Sequence, residues 1–329
     1  MSDYIKKIPI FRWSLVTVLV VGLVWTGWYI LSTDLLVDRN PYELSLEDYN
    51  RIDPDLIRYH QTQAVKIPGK QPRALCVDRN DNIFVAVDSN VIKFNAFGSI
   101  EKVFPVGAQV NCLTISTTGD LYLGYKARIA VLNQATQSVM GLVDLPATSH
   151  LTSLAVDHHY LYAADAGMRI VNQYDHRGGI VRTLGGRDDV SGRLGFIVPS
   201  PFFDLAIGSK DRLWIVNPGQ HVVEKYRLDG ELVSQWGEWS AKLKGFCGCC
   251  NPTHITLMPD GRFVTSEKGL VRVKLYSADG KFDRVVAGPE NFSRNVIGLD
   301  LAVDSNSRIL VLDPGAQQVR IFQPKEAKL

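Results

Sequence analysis

One phrase recurs along this chain and constrains its fold more than any other feature. Small or apolar residues lead into Val-Asp or a substitute, a polar turn follows, and a second apolar run comes next. The six copies are ALCVDRNDNIFVAVD (74–88), CLTISTTGDLYLGY (112–125), SLAVDHHYLYAAD (153–165), DLAIGSKDRLWIVN (204–217), ITLMPDGRFVTSE (255–267) and DLAVDSNSRILVLD (300–313). They recur every ~40–50 residues, the period of propeller blades with four strands each. Each is followed by a third apolar run, from VIKFNAFG after the first copy to VRIFQP after the sixth. These runs end in Asn/Asp-Gly-type turns, the short-range hairpin signal. A fourth run, such as IVRTLGG or LVSQWGE, follows in most copies.

The pattern predicts an all-β, six-bladed propeller. A single unit of this kind accommodates most of the 329 residues, and 46 % hydrophobic against 21 % charged residues allows a large core. The sixth copy lacks a fourth run, because PKEAKL follows it. The run RYHQTQAVKIP (58–68) precedes the first copy and has no other assignment. It is therefore expected to supply the missing outer strand and close the ring. Closure removes the open sheet edges that otherwise invite aggregation.

The consensus PxxLAVD…GxLYVAD…RIxxYDxxG resembles the NHL repeat over about residues 70–323, with the third and sixth copies closest. The segment GFCGCCNPTHITLMPDGRFVTSEKGLVRVKLY resembles a subgroup of membrane-anchored bacterial NHL proteins that carry a Cys-Gly-Cys-Cys-Asn-Pro signature. The resemblance implies a propeller fold and a membrane location. It implies no particular activity.

The N-terminus carries its own signal. Lys6, Lys7 and Arg12 precede a run from Ser14 to Leu31 without a charged residue. At 1.5 Å per residue, ~18–20 helical residues cross a bilayer core. Trp13, Trp25, Trp28 and Tyr29 lie toward the ends of this run, where amphipathic rings favour the interface. The run ends in WYILSTDLL, a poor match to a signal-peptide cleavage site. The expected organisation is a cytoplasmic tail and transmembrane anchor over 1–33, a linker over 34–57, and the propeller over 58–329. By the positive-inside rule the propeller lies in the periplasm or outside the cell. Ser45 heads SLEDYNRI with Asp48 three residues on, which resembles a helix N-cap, so a short helix is expected there.

In a four-stranded blade the innermost strand comes first. The loop leading into it and the turn between the second and third strands share one face of the disc. This places Arg73, Asp204, His221, Glu267 and Asp300 around one mouth of the central channel as candidate binding residues. Asp204 and Asp300 occupy equivalent positions, four before the Val-Asp marker, where they either line the channel or cap backbone N–H groups at strand starts.

Three of the five cysteines crowd into GFCGCCNPTH. Cys247, Cys249, Cys250 and His254 supply soft ligands for zinc, copper or an iron–sulfur centre. In an oxidising compartment a Cys247–Cys250 or strained Cys249–Cys250 disulfide competes with that reading, and a strained bridge is easily reduced. Cys76 reads as a small core filler. No G-x-S-x-G elbow or H-E-x-x-H helix is present.

A net charge of +2 argues against nucleic acid as a partner. The remaining expectation is a module that binds a ligand or a partner protein, rather than an enzyme, as an accessory subunit of a membrane complex. The alternatives are a metal-dependent lyase or hydrolase, or a redox accessory protein using the 247–254 loop.

Overall fold

The structure, a computed structural model, describes residues 8–34, 47–186, 194–208, 212–293 and 296–325. It divides into two compact units, Met1–Leu46 and Glu47–Leu329.

The first unit contains one α-helix of 27 residues, Ile8–Asp34. Its described apolar side chains are exposed on every side, Leu23 at 69 % and Trp28 at 66 %. A helix that packs on a globular core shows an apolar stripe instead. Among the described residues no helix is long and apolar enough to cross a membrane. The described apolar side chains run from Val16 to Ile30, within the charge-free run 14–31 of the sequence.

The second unit is the six-bladed propeller. Its described strands form six four-stranded antiparallel sheets. Five sheets run in chain order from the inside outwards. Their innermost strands are Pro72–Val77, Cys112–Ile115, Leu151–Val156, Leu205–Gly208 and His254–Leu257, and that of blade six is Leu301–Val303. Blade six is assembled from both ends of the unit. Its outermost strand is Tyr59–Lys66, paired antiparallel with Gln318–Pro324 so that Tyr59 faces Pro324 and Lys66 faces Gln318. The ring closes as the sequence predicts.

Strand side chains alternate between the two sheet faces, and in a propeller each face meets a neighbouring blade. Both faces of the middle strands are therefore buried. Ile83–Val87, Leu161–Asp165, Phe263–Glu267 and Ile309–Asp313 are buried at every position. One apolar cluster fills each junction between blades. The junction of blades six and one, for example, packs Leu75, Val85 and Ile92 against Leu310, Leu312 and Ile321. The other five junctions are built alike. Each buried Leu or Ile contributes roughly 1.5–3 kcal/mol, so this stability is spread evenly round the ring.

The segment before the first strand belongs to the propeller unit. It has one helical turn at Glu47–Asn50 and a 3-10 turn at Pro54–Leu56, capped by Asp53 accepting from the Asp55 N–H at 3.0 Å. Tyr49 packs against Ala241, Cys247 and Leu270, and Ile57 bridges Val285. The expected cap at Ser45 lies outside the described residues, as do 187–193 of the long GGRDDVSGRLG loop.

Candidate functional site

The inner strands line a central channel with a cavity of about 260 Å³. Two carboxylates in its wall fasten neighbouring blades together. Asp204 of blade four accepts from the Ile255 N–H of blade five at 2.7 Å, and from its neighbour Leu205 N–H at 2.9 Å. Asp300 of blade six accepts from the Leu75 N–H of blade one at 2.8 Å, and from Leu301 N–H at 2.8 Å. Blade three uses a hydroxyl for the same task. Ser153 Oγ accepts from the Leu205 N–H at 3.4 Å. The sequence leaves open whether these carboxylates line the channel or cap strand starts. They do both.

His254 opens the inner strand of blade five and enters the channel between the two carboxylates. Its Nδ1 lies 3.6 Å from Asp204 Oδ2 and 3.5 Å from Asp300 Oδ1. Burial disfavours its charged form, but the Asp204 and Asp300 carboxylates outweigh that and raise its pKa. Burial raises Asp300 to about 6, with the His254 charge opposing and the Asp204 charge assisting. Both pKa values are raised, so His254 and Asp300 are placed to hold or pass a proton, which suits general acid–base work.

The channel opens into a second cavity of about 430 Å³ at the mouth, lined by Lys70, Arg73, Asn111, His150, Phe202 and His254 among others. Arg73 is exposed, and among the described residues its guanidinium has no hydrogen-bonding or ion-pair partner. Burial lowers the His150 pKa, with the Lys126 and Arg73 charges assisting and the Asp165 charge opposing. Phe202 supplies an apolar wall and meets the His254 ring edge-on, with centroids 6.1 Å apart.

The turns between second and third strands serve mainly to hold the leading loops. Asp88 accepts from the N–H groups of Lys70 and Gln71, both at 3.1 Å. Asp165 accepts from His150 N–H at 2.9 Å, and Asn217 from Ile197 N–H at 2.9 Å. Blade five departs from this pattern. Asn251 of the leading loop reaches across to accept from Lys268 N–H and donate to Lys268 O, both at 2.9 Å. Glu267, freed from that task, is fully buried with Arg272 and Lys274. His221 is held against the Asn251 backbone, and its Nδ1 is buried without a described partner.

Of the sequence-predicted residues, the structure brings Arg73, Asp204, His254 and Asp300 to the channel and its mouth. His221 and Glu267 lie with the cysteine loop instead. One expectation for that loop is corrected. No disulfide is formed, since all five cysteines are free and the Cys249 and Cys250 sulfurs stand 3.1 Å apart, against about 2.05 Å for a bond. The four expected ligands are dispersed. Among the described residues no group of three or more His, Cys, Asp or Glu is placed to hold an ion. The reason is topological. His254 belongs to the inner strand and turns into the channel, Cys247 packs against Ala241 and Leu270, and only Cys249 and Cys250 stay together. Cys112 is buried in the channel wall, and Cys76 packs beside the junction of blades one and two.

Sequence reasoning missed Phe202, His150 and Ser200. Phe202 had a signal: it sits in VPSPFFD, two residues before a channel carboxylate. His150 and Ser200 had none, because their places depend on loop paths.

No protein-family model matches the chain, and no curated protein sequence does. Solved structures do match. A streptogramin B lyase superposes with a TM-score of 0.56 at 12 % identity, over 81 % of this chain and 98 % of that one. Virginiamycin B lyase from Staphylococcus aureus superposes with a TM-score of 0.56 at 14 % identity, over 82 % and 90 % of the two chains. This chain is thus similar to two lyases in its whole propeller, and at these identities the likeness establishes the fold alone.

Proposed function

We propose that this chain is a membrane-anchored propeller whose mouth binds a small anionic ligand with an apolar body. The unpaired Arg73 guanidinium beside the Phe202 wall carries this reading. A mouth cavity of about 430 Å³ falls within the ~300–1,000 Å³ of ligand pockets. An unpaired guanidinium offers a planar fork that matches a carboxylate or phosphate. Lys70, Arg73 and Lys126 make the rim cationic, while the carboxylates Asp204 and Asp300 lie deeper. A ligand is thereby oriented with its anionic end at the rim. A partner protein presenting an acidic group to the same mouth is the accessory-subunit form of this reading. The NHL-type repeats and the Cys-Gly-Cys-Cys-Asn-Pro signature support membership of the anchored group they resemble.

The anchor is the charge-free run 14–31, with the N-terminus cytoplasmic and the propeller periplasmic or extracellular. The all-round apolar exposure of the helix supports it. Carbonate washing of membranes should leave the full chain in the pellet, and its appearance in the supernatant would refute the anchor.

A second reading has its own observation. His254 lies between two carboxylates, one with a pKa of about 6, in a fold shared with lyases. In that reading His254 moves a proton to or from a ligand held by Arg73, and product formation lost in His254→Gln separates it from binding alone.

The binding reading is tested by thermal shift of the full chain in detergent, against a panel of aromatic and aliphatic carboxylates and phosphates. At least one compound should raise Tm saturably. Arg73→Ala should weaken it roughly ten-fold or more, since a hydrogen bond to a charged group contributes about 1.5–3 kcal/mol. A wild-type protein that no compound stabilises, or equal binding by Arg73→Ala, sinks the proposal.

A further inference from the structure

We infer that Cys249 and Cys250 form a thiol–disulfide exchange site, separate from the ligand cavity and independent of its function. The pair meets the geometric needs of that chemistry. Cys249 is exposed and Cys250 is fully buried directly beside it, with the two sulfurs 3.1 Å apart. One thiol is open to attack a substrate, and the other can be reached only from its neighbour.

The surroundings favour the second thiol as a resolving group. Burial raises the pKa of the Cys250 thiol, and the Ser200 hydroxyl that hydrogen-bonds it opposes that rise, with Lys268 Nζ donating to Ser200 Oγ at 3.1 Å. An ammonium that polarises a hydroxyl stabilises a thiolate forming at the far end. Lys268 is itself fixed, with its Nζ 4.9 Å above the Phe202 ring and its backbone clasped by Asn251. Asn251 follows Cys250 directly, so the same clasp positions thiol and ammonium together.

The loop is also tied down by hydrogen bonds from buried charges, although it carries little regular structure. Arg272 Nη1 donates to Ala241 O at 3.1 Å, and Lys274 Nζ donates to Leu243 O at 3.0 Å and Gly245 O at 2.6 Å. Buried charges thus hold the chain just ahead of the thiols. A loop whose only task is to connect two blades does not require such a foundation.

The substrate class is an accessible disulfide, R–S–S–R′. The Cys249 thiolate attacks one sulfur, forming a mixed disulfide and expelling R′–S⁻, which takes up a proton. Cys250 then loses its proton and attacks Cys249 Sγ, closing the Cys249–Cys250 bond and expelling R–S⁻, which is also protonated. The substrate is reduced by two electrons to two thiols, and the protein dithiol is oxidised to a disulfide. A ring between adjacent residues is strained, so excess substrate disulfide drives its closure, and excess free thiol, itself oxidised to a disulfide, returns the site to the dithiol.

The probe is oxidised glutathione, added to the reduced full chain in detergent, with intact-mass and peptide-mapping mass spectrometry over time. Wild type should show a transient glutathione adduct on Cys249, then a Cys249–Cys250 disulfide. Cys250→Ser should accumulate the adduct, and Cys249→Ser should form none on this loop. Lys268→Ala should slow ring closure roughly ten-fold, the factor expected for one lost hydrogen bond to a charged group, and leave adduct formation unchanged. Peptide mapping of wild type needs no variant to fold. Adducts that form no faster on Cys249 than on Cys76, Cys112 or Cys247, or a Cys249 adduct that Cys250 never resolves, would overturn the assignment.

Discussion

Replacing Glu267 with Gln is expected to destabilise the propeller by about 3–5 kcal/mol, the cost of leaving buried charge uncompensated. Glu267 Oε2 lies 2.7 Å from Arg272 Nε and 3.1 Å from Lys274 Nζ, and its Oε1 accepts from Arg272 Nη2 at 3.1 Å. The three side chains are between 0 % and 1 % exposed, so water cannot replace the carboxylate. An exposed pair with the same distances would be worth less than about 1 kcal/mol. Glutamine keeps the volume but turns an N–H₂ group toward a guanidinium, so the loss is electrostatic rather than a cavity. Burial already lowers Lys274 to about 8 despite the attraction of Glu267. Without the carboxylate the folded protein sheds this proton more readily still. The Lys274 share of the deficit is therefore full well below pH 8 and disappears as pH rises through about 8, where Lys274 is neutral in both proteins. The assay is urea unfolding followed by tryptophan fluorescence, at pH 7 and pH 9. A deficit below about 1 kcal/mol at pH 7, or one that grows with pH, would refute the reasoning.

Asp300 has a folded pKa of about 6 against an ordinary 3.8. The folded state thus binds the proton more tightly, and stability falls as pH rises from about 4 to about 6, by roughly 3 kcal/mol. His254, also raised, extends the fall above its ordinary 6.5. Asp300→Asn should flatten the slope between pH 4 and 6 in thermal melts, and an unchanged slope would contradict the assignment. Deleting residues 58–68 should expose the Gln318–Pro324 edge and convert a monodisperse protein into aggregates on size-exclusion chromatography; a monomeric, equally stable product would contradict ring closure. Phe202→Ala should weaken the mouth ligand several-fold while leaving glutathione adduct formation at Cys249 intact, since Phe202 reaches the cysteine pair only through Lys268.

The repeat phrase alone determined the number of blades, the order of strands and the way the ring closes. These are legible because a blade is a local unit: four consecutive runs pair with one another, and the alternation of side chains dictates which faces are buried. Asp204 and Asp300 were legible for the same reason, as one register position repeated round the ring. The composition of the site was not. His254 left the cysteines because it is the first residue of an inner strand, and strand register turns it into the channel. Close sequence spacing says nothing about which way side chains face across a strand start. Ser200 and Phe202 of the loop before blade four meet Lys268 of blade five, and Glu267 is buried because Asn251 took over its turn. The contacts of Lys268 join residues far apart along the chain, and only the packing of one blade against the next brings them within reach.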